Sequence, residues 1–82
     1  MENNVEGHVR GIITSIAKID VRNVTVRDDL IEKFGVDSMQ RIEIVIAIEK
    51  AFGISVHDDE TNTLRTIADF VSLIEKHKAV EK

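Results

Sequence analysis

A chain of 82 residues that contains no cysteine has one route to a stable fold, the burial of apolar side chains. Disulfide frameworks, thiol nucleophiles and thiolate zinc sites are excluded together, and the expected setting is one that needs no disulfides, a reducing cytoplasm. The apolar share of 43% is enough for a core and too high for a disordered chain. Uncharged apolar runs are only a few residues long, far short of the roughly 20 that span a bilayer, so no membrane insertion is expected. No basic segment followed by an apolar one opens the chain, and export is not expected. The length suits one small domain over residues 1–82, not a multidomain enzyme with a deep cleft. With 15 acids against 11 bases, a net charge of -4, nucleic acid is not the expected partner.

Periodicity then orders the chain. Val5, Val9, Ile12, Ile13, Ile16 and Ala17 form one stripe of an amphipathic helix, expected over about 4–19. From 20 to 36 the pattern breaks into apolar anchors separated by Asp, Asn and Gly, which reads as a long first loop with room for a short helical turn near 28–33. The stretch 37–52 carries two signals. Ile42, Ile44, Ile46 and Ile48 alternate as in a strand, but Asp37 with Gln40 forms a capping-box pair and Gly53 supplies a stop, which decides for helix. Asp58, Asp59 and Glu60 suit a short capping turn over 58–62, lacking the alternating ligands and glycine of a calcium loop. Thr66 and Asp69 open a last helix over 66–78, closed by Lys76, His77 and Lys78, with 79–82 expected to fray. The expectation is all-α: a small bundle of four helices, three longer and a short third, with a long first loop.

The helix at 37–52 carries more apolar surface than one packed side requires. Ile44, Val45, Ile48 and Phe52 form a stripe suited to the core, and Met39, Ile42 and Ile46 form a second on another face. That second stripe is either covered by the short third helix or the long loop, or left open for a partner or a tethered apolar group. Ser38 stands at the start of this helix, beside its N-cap Asp37. Taken alone, Asp-Ser before a helix is an ordinary capping signal. His8, His57 and His77 are too scattered for a metal site or a catalytic base and read as surface or capping residues.

From Asp28 to Ile54 the residues resemble the central signature of acyl carrier proteins in order and spacing: the acidic pair with Leu30 and Ile31, Gly35, Asp37-Ser38, Glu43, Glu49, and Phe52-Gly53-Ile54. The resemblance implies a four-helix carrier fold. It further implies that Ser38 is the attachment point for 4'-phosphopantetheine, added from coenzyme A by a phosphopantetheinyl transferase, with Asp37 as the flanking motif residue. The prosthetic thiol would hold acyl groups as thioesters. By the same resemblance Met39, Ile42, Glu43, Ile46 and Glu49 are the partner-binding residues, offered to acyl-loading and acyl-processing enzymes, synthases and acyltransferases of fatty-acid, polyketide or a related specialised pathway. A carrier, not a catalyst, and a monomer are expected. Met39 in place of the usual leucine, together with Gln40, Arg41, Lys50 and Ala51, favours a specialised carrier. Arg41 projects close to the core stripe, so it must snorkel or mark a different contact. A peptidyl or aminoacyl carrier shares these features, and an unmodified helical interaction module is the reading from another class.

The charge is not uniform. Between Asp28 and Glu60 lie nine acids and three bases, net -6, whereas the rest carries six acids and eight bases, net +2. The acidity concentrates around Ser38.

Overall fold

The computed structural model describes residues 2–80, and among them the chain is all-helical, without strands. Five α-helices follow in order: α1 (Glu2–Ala17), α2 (Leu30–Phe34), α3 (Ser38–Phe52), α4 (Asp58–Thr61) and α5 (Ile67–Val80), with a 3-10 turn at Val21–Asn23 between α1 and α2. Three are long, as expected for a carrier-type bundle. The α1 stripe packs against α3 and α5. Val9 and Ile13 of α1, Ile44 and Ile48 of α3, and Ile67, Phe70 and Ile74 of α5 are buried almost without exposure. Each such side chain contributes on the order of 1.5–3 kcal/mol by leaving water, so this layer dominates the stability of a chain with no covalent cross-link.

The long first loop is more structured than its sequence suggests. Val24, Leu30 and Val36 are buried anchors, and between them α2 makes a fifth helix where four were expected. Asp29 is the cause. Its carboxylate accepts the N–H groups of Ile31 at 2.9 Å and Glu32 at 3.0 Å, satisfying the orphan donors of a first turn. Gly35 then adopts a left-handed φ of 74° and closes the helix with bonds to the carbonyls of Ile31 and Leu30. Further bonds tie the loop down: Arg10 Nη1 donates to the Val24 carbonyl at 2.8 Å, Leu30 N–H to that of Arg65 at 2.8 Å, and Ala68 N–H to that of Val26 at 3.0 Å.

Helix limits differ from expectation in ways the backbone explains. The first helix begins at Glu2, not 4, and ends at Ala17, not 19, because Lys18 turns to a positive φ of 61° while donating to the Thr14 carbonyl at 3.0 Å. The helix expected from 37 starts at Ser38, with Asp37 as its cap. The short turn stops at Thr61, and the last helix starts at Ile67 because Thr66 is its cap: Asp69 N–H donates to Thr66 Oγ1 at 3.0 Å and Thr66 N–H to Asp69 Oδ2 at 3.1 Å. It runs on to Val80, past the expected end at 78. Residues 81 and 82 lie outside the described residues.

Candidate functional site

The site begins with a division of labour at the start of α3. Asp37 is extended, with φ -91° and ψ 177°, and its carboxylate accepts the Gln40 N–H at 2.8 Å. Gln40 Oε1 in turn accepts the Asp37 N–H at 3.3 Å, completing the capping box. Capping is therefore carried out by the residue before the serine. Ser38, the first helical residue, is exposed, and its hydroxyl has no hydrogen-bond partner among the described residues. A hydroxyl so placed is open to an incoming reagent and lies at the positive end of the helix dipole.

From Ser38 a groove of about 500 Å³ runs between α3 and α4. One face of α3 lines it with Ser38, Arg41, Ile42, Val45, Ile46 and Glu49, and the opposite wall is Val56, Asp58, Thr61 and Asn62. Its apolar surface is provided by Ile42, Val45, Ile46 and Val56 and its polar surface by the rest. The second apolar stripe of α3 is not covered by any described element: Met39 is 67% exposed, Ile42 49% and Ile46 45%. The core stripe is inside, with Ile44, Val45 and Ile48 buried and Phe52 half-buried, its ring 4.9 Å from that of His8.

The expected site residues thus fall into groups. Ser38, Ile42, Ile46 and Glu49 share the groove, while Asp37, Met39 and Glu43 are exposed and line no part of it. Glu49 is not a free rim charge. Its Oε2 accepts the Val56 N–H at 2.7 Å and holds the α3–α4 link against α3. Arg41, Val45, Val56, Asp58, Thr61 and Asn62 complete the groove and were not among the expected site residues. Arg41 and Val45 were readable from the helical wheel, three and seven residues after Ser38. The other four come from a later segment, and no periodicity connects them to Ser38.

At the far side of α4, Glu60 accepts the His57 N–H at 3.1 Å and faces Lys76 at 3.4 Å and His77 at 3.3 Å. The His57 N–H bond, followed by the side-chain bonds from His77 and Lys76, holds the Glu60 carboxyl below the usual carboxylate range. This acid serves the short helix and its seat on α5, not the groove. Among the described residues no cluster of side chains could hold a metal ion, and no helix is long and apolar enough to cross a membrane.

Residues 8–74 match the family described as the phosphopantetheine attachment site. A curated acyl carrier protein of Akkermansia muciniphila is 39% identical, over 92% of this chain and 94% of its own length. The chain belongs to the acyl carrier protein family. Acyl carrier proteins of Rickettsia bellii (34% identical over 94% of this chain and 90% of that one) and Helicobacter acinonychis (29% over 85% and 90%) are also similar to it. Family membership makes the chain a carrier and not an enzyme, with 4'-phosphopantetheine as its cofactor. Acyl carrier proteins as a class work with synthases and acyltransferases. The start of α3 fits such a group: an exposed serine hydroxyl, released from capping by Asp37, opens onto a groove with an apolar floor.

Proposed function

We propose that Ser38 carries the 4'-phosphopantetheine arm through a phosphodiester, and that the chain serves as a single 1–82 carrier domain for acyl intermediates. The observation that carries this reading is the exposed Ser38 hydroxyl at the first turn of α3, free of hydrogen bonds to the described residues, with Asp37 capping the helix in its place. The arm supplies a terminal thiol on which acyl groups are held as thioesters. Everything else is done by the chain's own residues. Asp37 and Gln40 fix the helix start, so that Ser38 Oγ meets a transferase in a constant position. Met39, Ile42 and Ile46 offer apolar contact to partner enzymes, and Glu43 and Asp37 offer charge that fixes docking register. Glu49 supports that surface from the groove side by holding the α3–α4 link.

The apolar floor of Ile42, Val45, Ile46 and Val56 supports an acyl cargo over an aminoacyl one, since an aliphatic group gains by leaving water there. The partners are a phosphopantetheinyl transferase and the synthases and acyltransferases of a fatty-acid, polyketide or related specialised pathway. The working form is a cytoplasmic monomer. Intact mass after incubation with coenzyme A and a promiscuous phosphopantetheinyl transferase tests the central claim. The wild type gains one phosphopantetheine and Ser38→Ala gains none; an unchanged wild-type mass with several transferases overturns it.

A further inference from the structure

The groove beside Ser38 contains a cation without a partner among the described residues. Arg41 lines it one turn beyond the serine. Its Nε is closed off from solvent and has no hydrogen-bond partner among the described residues, and its guanidinium makes no ion pair with any of them. A buried donor left unpaired costs about 1–3 kcal/mol; the enclosed Nε leaves the Nη groups, which carry no bond to any described residue either, as the donors that an outside anion can reach. The charged residues along the groove are Arg41, Glu49 and Asp58, and Glu49 already accepts the Val56 N–H. Arg41 is the only cation among them.

We propose that Arg41 is a binding residue for the phosphodiester on Ser38, holding the root of the arm over the mouth of the α3–α4 groove. The inference rests on Ser38 being the modified residue. Side chains three apart on a helix are neighbours, with Cβ atoms about 5–6 Å apart, and long side chains lean toward the preceding turn. Arg41 therefore lies within reach of an anion attached to Ser38 Oγ. The need for a cation is local. At the helix start the Gln40 N–H is already taken by Asp37, and that exposed carboxylate, with Asp58 and Glu49 along the groove, repels a phosphate. Guanidinium matches phosphate oxygens with paired donors, which an ammonium cannot do. With the phosphodiester held there, the arm leaves α3 along the apolar floor of Ile42 and Ile46.

The test uses the full chain labelled with nitrogen-15, as unmodified and as phosphopantetheine-loaded protein, the loading verified by mass. The Arg41 Nε–H cross-peak shifts on loading. The phosphorus-31 line of the loaded protein shifts and narrows in Arg41→Gln, and Arg41→Lys restores it only in part. The wild-type comparison needs no variant to fold. A loaded chain whose Arg41 cross-peak stays in place and whose phosphorus line is the same in wild type and Arg41→Gln overturns the Arg41 inference alone. A wild type that gains no mass overturns the Ser38 reading and this inference with it.

Discussion

Asp37 does two things that a single carboxylate can do only at an N-cap: it satisfies the Gln40 N–H and it leaves the next hydroxyl unoccupied. Asp37→Ala is expected to lower stability by about 1 kcal/mol, the usual cost of losing such a cap. Asp37→Asn keeps the bond and loses the charge, so urea melts of the two variants separate capping from electrostatics. Lys18 is the opposite case. It holds a φ of 61° that costs an L-residue about 1–2 kcal/mol, and glycine adopts it freely. Lys18→Gly is expected to raise stability by about 0.5–1 kcal/mol once the greater freedom of glycine in the unfolded chain is deducted, read as a higher denaturation midpoint. A lower midpoint would show that Lys18 is held there by contacts worth more than the backbone strain.

At the scale of elements, the short helix α2 is secured by charge more than by length. Five residues cannot sustain a helix alone. Asp29 caps α2 and accepts from Arg65 Nε at 2.7 Å, joining it to the entry of α5. The Glu32 N–H bond and then Arg65 hold the Asp29 carboxyl below its usual range; Asp28 is held low first by the Thr25 N–H. A carboxylate whose folded value is depressed adds stability that is complete above its unfolded value, about 4, and is lost as pH falls through the lower folded value. Urea midpoints should therefore drop on acidification below about pH 4, and Asp29→Asn should flatten that slope. An unchanged slope would mean that other carboxylates dominate.

These elements also explain what could be read in advance. Helix α3 was legible despite its strand-like isoleucines, because Asp37 with Gln40 and the left-handed Gly53 mark both ends independently. Helix α2 was legible only as a possible turn, since Asp29 acts through backbone bonds that leave no periodicity. The end of α1 was not legible, as nothing in Lys18 announces a positive φ. Ser38 and the exposed stripe could be found from one segment and its resemblance. The groove could not, because Val56, Asp58, Thr61 and Asn62 meet α3 only through the turn at Gly53.

Over the whole molecule the charge separates, net -6 from Asp28 to Glu60 and net +2 elsewhere, and it is this acidic part that contains Ser38. A basic partner surface is steered toward the serine by such a field, and the steering weakens with salt as the screening length falls to about 8 Å at physiological ionic strength. The kcat/KM of phosphopantetheine transfer to the chain is expected to fall with added sodium chloride, and more gently for Glu43→Gln. A salt-independent rate would remove charge steering from the account.

The bond from Val56 N–H to Glu49 has a kinetic meaning as well. It ties the α3–α4 link to α3, so the Val56 amide exchanges its hydrogen for deuterium only when the bond to the Glu49 carboxylate opens. Its exchange rate is a clock for the opening of that bond, and the change in the rate on loading successively longer acyl groups measures how much more often each cargo loosens the link from α3.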